Sequence, residues 1–181
     1  MNLSTLYIIL RVLAVLILLV LFWAWSLYNQ LVRKRNQYLT DLSDTNIQIK
    51  RKAELIDRLI SLVTDYSKHE KNTYKGVAQA RSTLNNAKSI TGSAKAENML
   101  TETLRSLMVV IEAYPELKAN ENYKELRMDL KNLEDKIADY REEYNRSVQT
   151  YNNAVQLFPS VLLASILGFK DAELFQVKSS S

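Results

Sequence analysis

The 181 residues contain no cysteine, which removes any disulfide framework, thiol nucleophile or thiolate metal site. That absence leaves the compartment open, because a helical bundle needs no disulfide on either side of a membrane. Three glycines and two prolines are too few turn-formers for a many-stranded sheet. The single histidine, His69, cannot form a metal site alone, and its neighbour Glu70 points about 100° away from it on a helix. A helix-start or packing role suits that pair better. No glycine-rich phosphate loop occurs, and no strand-turn framework exists for a Ser-His-Asp set. The paired carboxylates Glu134-Asp135 and Glu142-Glu143 read as a solvated helix face. The chain is therefore not read as an enzyme, and no cofactor or metal is expected.

What the sequence does have is one long apolar run, Leu6 to Leu27, followed by the basic cluster Arg33, Lys34 and Arg35. As a helix these 22 residues extend ~33 Å, close to the ~30 Å of a hydrocarbon core. Residues 1–28 are accordingly expected to be a transmembrane anchor in the lipid bilayer. Tyr7 at one end and Trp23, Trp25 and Tyr28 at the other match the aromatic belts of a spanning helix. Ala24-Trp25-Ser26 makes a poor signal-peptide cleavage site, and Asn2 to Leu6 lack the glycine that myristoylation needs, so a retained anchor is preferred. Arg11 interrupts the run near one end. Its guanidinium is expected to snorkel to the nearer interface, the alternative being a contact between neighbouring anchors. The positive-inside rule, applied to Arg33, Lys34 and Arg35, puts the rest of the chain in the cytoplasm, with the extracytoplasmic side as the alternative.

The remainder is helix signal. From Asn29 to Tyr66 no glycine or proline intervenes, and Leu31, Tyr38, Leu42, Ile49, Ile56, Leu59, Val63 and Tyr66 recur at spacings of three, four or seven. The anchor is expected to continue into this helix as a rigid stalk. A second helix is predicted from about His69 to Lys88, with Ser67 as its N-cap and Tyr74, Val77, Ala78, Arg81 and Leu84 on one side. Ser89 to Ser93 around Gly92 reads as the most loop-like run and the first proteolytic site. A third helix follows from about Ala94 to Ala113, ended by Tyr114-Pro115. A fourth, about Asn122 to Phe158, carries a heptad seam with one stutter from Tyr123 to Val155. The predicted fold is all-α: an N-terminal transmembrane helix, then a long-helix antiparallel four-helix bundle over residues 29–158, then an apolar tail, 159–181. The run Val161 to Leu167 is too short to span, and should pack on the bundle, the membrane surface or a neighbouring subunit.

Charge is unevenly spread. Tyr28 to Ile90 holds 12 Lys+Arg against 6 Asp+Glu, and Thr91 to Ser181 holds 11 against 14. The two halves are expected to pair within the fold, a basic surface for anionic lipid or a partner being the other reading. Arg141, Tyr144, Asn145, Tyr151 and Asn152 stand out as polar residues gathered toward one side of the fourth helix, where asparagine is a poor choice. A hydrogen-bond layer fixing helix register is the favoured role, and a partner-binding patch the alternative. The basic clusters Lys50-Arg51-Lys52 and Arg33-Lys34-Arg35 have no accompanying recognition motif, so nucleic acid is not expected as a partner.

The stretch Asn46 to Ile56 (NIQIKRKAELI) resembles the first-helix signature of the LemA family. Ordered matches follow in His69-Glu70-Lys71, Ala80-Arg81, Ala113 to Asn120, Glu134 to Ala138, Arg141 to Asn145, Tyr151-Asn152 and Phe158-Pro159. The departure at Asp57 to Ile60, where the family usually has a proline-asparagine pair, implies a straighter helix here. The resemblance implies a single-pass bacterial inner-membrane protein with a four-helix bundle and no agreed reaction. It links the chain to envelope upkeep and, through magnetosome-associated relatives, to organising an internal membrane. The expected function is a non-enzymatic scaffold or adaptor that self-associates as a homo-oligomer and engages other membrane proteins. The alternative is a cryptic enzyme or a regulating subunit of a membrane protease or envelope-stress system.

Overall fold

The first glycine is residue 76 and the first proline residue 115, and the opening helix is correspondingly long. In a computed structural model, which describes residues 3–64, 71–87 and 89–176, with side chains from residue 4 and, after the gap, from residue 75, α1 runs unbroken over Leu3–Thr64. It passes straight through Asp57 to Ile60, where no proline interrupts it. Tyr66, Ser67, His69, Glu70 and Lys88 lie outside the described residues. After α1 come α2 (Lys71–Asn85), α3 (Ile90–Glu112), α4 (Pro115–Ala119), α5 (Glu121–Gln156) and α6 (Ser160–Leu167), with no strand among the described residues. The chain forms two compact units, Met1–Tyr38 with Ser147–Ala172 and Leu39–Arg146 with Glu173–Ser181, here called the anchor unit and the bundle unit.

Within the bundle unit the helices are antiparallel neighbours. Thr45 of α1 reaches Tyr140 of α5 and Lys52 reaches Glu134, so residue numbers rise along one helix as they fall along the other. The same inversion relates Glu97 and Met108 of α3 to Arg141 and Tyr123 of α5. α2 meets α3 through Thr83 and Met99, and α1 through an Arg81–Asp57 ion pair of 2.7 Å. The core holds Ile49, Ile56, Leu59 and Val63 of α1, Leu100, Leu107 and Ile111 of α3, and Tyr123, Leu130, Leu133 and Ile137 of α5, which are the residues the periodicity selects. Among the described side chains of α2, Val77, Ala80 and Leu84 are buried, whereas Ala78 and Arg81, expected on that side, are exposed; the side chain of Tyr74 lies outside the described ones.

One loop reading is corrected by the structure. Ser89 to Ser93 is not a loop: Ser89 is extended and α3 begins at Ile90, so Thr91, Gly92 and Ser93 are helical. Gly92 is there for close packing, since a Cβ would stand 2.7 Å from that of Ala87. Pro115 both ends α3 and starts the short α4, occupying its first turn, where a missing N–H costs nothing. The side-chain oxygen of Asn120 then accepts the backbone N–H groups of Asn122 and Tyr123 at 2.8 and 3.4 Å, capping α5.

In the anchor unit, Leu31 of α1, Tyr151 and Val155 of α5 and Ala164 of α6 form a small core, flanked by Tyr38 and Phe169. The peptide bond between Phe158 and Pro159 is cis. α6 ends at Gly168, whose φ of 74° lies in the left-handed region that any other residue enters with strain.

Candidate functional site

The polar residues of α5 do different work from one another. In the bundle unit Arg141 pairs with Glu97 of α3 at 3.2 Å, and its guanidinium lies 4.9 Å over the ring of Phe175. The Glu97 side chain is 8% exposed, so this carboxylate depends on its cation. Tyr144 donates its hydroxyl to the carbonyl of Glu173 at 2.8 Å. Asn145 grips Phe175 at two points, accepting its N–H at 2.7 Å and donating to its carbonyl at 3.3 Å. Arg141 thus joins two helices, while Tyr144 and Asn145 hold the extended chain that follows α6.

Asn152, seven residues after Asn145, repeats the grip within the anchor unit. It accepts the Ala172 N–H at 2.8 Å and donates to its carbonyl at 2.9 Å. Tyr151 donates to the carbonyl of Lys170 at 3.0 Å and packs its ring 5.0 Å from that of Tyr38. Burial pushes the Tyr151 phenol above the ordinary tyrosine range; Tyr38 adds to the rise, Arg35 opposes it, and Asp171 adds a little more. An asparagine side chain carries one donor and one acceptor group, the same pair as a peptide unit. That equivalence is why this poor helix former occurs mid-helix here: each residue stands in for a strand partner of the tail.

A second set of polar residues, of which the sequence singles out only Lys52, as part of a basic cluster, lies in the interior. Asp41, Thr45, Gln48 and Lys52 recur at spacings of 4, 3 and 4 on α1, and all four are buried in the bundle unit. Lys52 donates to the hydroxyl of Thr101 at 3.0 Å and lies 3.4 Å from the Glu134 carboxylate. The Thr45 hydroxyl bonds the Asp41 carbonyl at 2.8 Å. Their signal is a helical period of polar residues, which hydrophobic periodicity does not report.

The residues chosen for the membrane lie on the anchor unit's α1. Every described side chain from Ser4 to Trp23 is exposed, including Arg11, and Trp23, Trp25 and Tyr28 are 45%, 62% and 43% exposed. Trp25 packs against Phe22, and its carbonyl accepts the Asn29 amide at 3.0 Å. Arg33 and Arg35 are exposed and Lys34 half-buried. This helix is long and apolar enough to cross a membrane. Among the described residues no group of three or more histidines and carboxylates is placed to hold a metal ion.

Known proteins share parts of this sequence. The magnetosome protein MamQ 2 of Paramagnetospirillum magneticum is 41% identical over 83 residues, which cover 46% of this chain and 30% of that protein. The magnetosome protein MamQ of Magnetospirillum gryphiswaldense is 40% identical over an equal stretch. The match thus takes in under a third of the length of these magnetosome relatives. Protein LemA of Metamycoplasma hominis is 24% identical over 149 residues, 82% of this chain and 68% of that one. The profile of the LemA family matches residues 41–181, and the chain belongs to that family.

Proposed function

We propose that this chain is a membrane-anchored scaffold: α1 holds it in the bacterial inner membrane, and the helical bundle is a non-enzymatic surface on which other membrane proteins assemble. The observation that carries this reading is the use made of the interior charges. Glu97 is engaged with Arg141, and Lys52 with Glu134 and Thr101, so these buried ionisable groups serve the bundle's own packing. The magnetosome naming of the relatives favours a role in organising membrane. By the positive-inside rule, Arg33, Lys34 and Arg35 put the bundle in the cytoplasm.

The scaffold self-associates. Arg11 sits on an exposed apolar helix, and neighbouring anchors that enclosed it with polar groups would lower the penalty for a charge at that depth. Capture of the tagged protein from gently solubilised membranes, after cross-linking, tests both parts. Defined membrane-protein partners and a self-cross-linked species are expected. A monomer without partners, or turnover by the purified protein that is lost on changing Arg141, overturns the reading. Orientation is tested by labelling Glu125→Cys, which should react with an impermeant maleimide only after the cells are opened.

A further inference from the structure

In the anchor unit, α6 is covered on one face only. Ser160 and Ala164 are buried, at 8% and 1% exposure. Leu162 and Ile166, two residues beyond each and therefore about 200° round the helix, are 59% and 79% exposed. Phe158 and Leu157, in the turn that leads into α6, are 79% and 61% exposed, and Leu167 at its end is 46% exposed. No charged residue occurs from Leu157 to Phe169. A water-facing helix surface has no physical reason to be built of phenylalanine, leucine and isoleucine, so this stripe calls for an apolar cover.

Its place in the anchor unit says what the cover is. Ala164 packs with Leu31, one helical turn beyond Leu27, the last residue of the apolar run. Phe169, just after α6, meets Tyr28 edge-on with ring centroids 6.2 Å apart. Tyr28 closes the aromatic belt at that end of the span, which is where hydrocarbon gives way to headgroups. α6 is thereby pinned beside α1 at the depth of the membrane–water boundary.

We infer that α6 is a second membrane contact, lying in the interface of the leaflet from which α1 emerges, with Phe158, Leu162 and Ile166 among the acyl chains. This rests on the reading of α1 as a membrane span. The apolar face of an interfacial helix sinks about 5–10 Å, which the stripe on α6 suits, and Arg33, Lys34 and Arg35 at the same end of the span meet the lipid phosphates. One spanning helix leaves a protein free to tilt about the point where that helix leaves the membrane. A second, off-axis contact restrains that tilt and fixes which side of the anchor unit faces the bilayer.

The test uses the full chain in vesicles of phosphatidylethanolamine and phosphatidylglycerol. The absence of native cysteine makes single-site labelling clean. A polarity-sensitive fluorophore is placed on Phe158→Cys and Ile166→Cys, with Leu18→Cys in the span and Glu125→Cys in the bundle unit as references. Labels at 158 and 166 should be quenched roughly twofold or more better by a nitroxide at the 5-position of the lipid chain than by one at the 12-position. The order should reverse at 18, and neither should act at 125. If the labels at 158 and 166 are instead quenched by aqueous iodide as strongly as that at 125, while the label at 18 stays lipid-quenched, the α6 contact is overturned and the anchor stands. Protection from both quenchers, with fluorophore self-quenching that is relieved by unlabelled protein, means that a second copy covers the stripe and overturns it too. A label at 18 that lipid nitroxides do not reach removes the anchor and the α6 contact together.

Discussion

α1 carries two segments built on opposite rules. From Ser4 to Trp23 its apolar side chains are exposed on every side, whereas from Asp41 to Lys52 it buries a column of aspartate, threonine, glutamine and lysine. In water the first segment would be untenable, and in lipid the second would be. The contrast shows that burial alone does not define what a helix is for; the surroundings that its exposed face requires do. The anchor segment is long and apolar enough for those surroundings to be hydrocarbon, where a helix satisfies its own backbone groups. In the bundle segment they are the partner groups on α3 and α5, namely Thr101, Glu134 and the Tyr140 carbonyl.

The sharpest way to break this contrast is to remove one partner from the interior. Arg141→Ala strands the buried Glu97 carboxylate and should destabilise the bundle unit by about 3–5 kcal/mol in urea denaturation, while the double change to leucine at 97 and 141 should recover most of that loss. Next in size is a charge placed in the other segment. Leu18→Lys, at a residue 64% exposed in the span, should raise the cost of insertion by about 2.5–3.5 kcal/mol, read as a lower glycosylation-tag or carbonate-resistant fraction.

A smaller effect separates the two asparagines. Asn145→Ala and Asn152→Ala each remove a two-point grip on the chain after α6, and about 1–3 kcal/mol of local stability should go with each. Faster hydrogen exchange at Phe175 N–H in the first and at Ala172 N–H in the second would show it, with the bundle core unchanged. Exchange that accelerates through the whole of α5 instead would mean that these residues set helix register.

The smallest effect depends on pH. Because the Tyr151 phenol titrates higher in the fold than in the unfolded chain, the protonated form is the one the fold favours. Its contribution is fully present below the unfolded value of about 10 and is lost as pH rises from there through the raised folded value. Between neutrality and pH 9 the stability of the chain and of Tyr151→Phe should run parallel. Above about 10 the parent should lose stability faster than the variant, as followed by circular dichroism.

Much of the fold was legible because helix periodicity reports burial directly. The seam from Tyr123 to Val155 and the stripe Ile49, Ile56, Leu59 and Val63 face inward as their spacing requires. A helix long and apolar enough to cross a membrane was legible from the length and composition of its apolar run. What escaped was information that no single segment contains. Gly92 looked like a loop residue because its packing partner, Ala87, belongs to the preceding turn. Arg141 stood out, but its partner Glu97 lies on α3 and carried no mark in its own stretch. Asn145 and Asn152 looked like a register layer, since the extended chain they hold has no periodicity to announce it. The two compact units, finally, each draw on segments far apart in the chain, which local patterns do not register.

The contrast between the two segments of α1 is tested most directly by a cysteine scan along that one helix in native membranes, with reaction by a small aqueous maleimide read position by position. From Val12 to Trp25 every position should be unreactive on all faces of the helix, and from Leu39 to Thr64 reactivity should rise and fall with the 3.6-residue period of a half-buried helix. A 3.6-residue period within Val12 to Trp25 would mean that one side of the segment meets water and would contradict a helix surrounded by lipid.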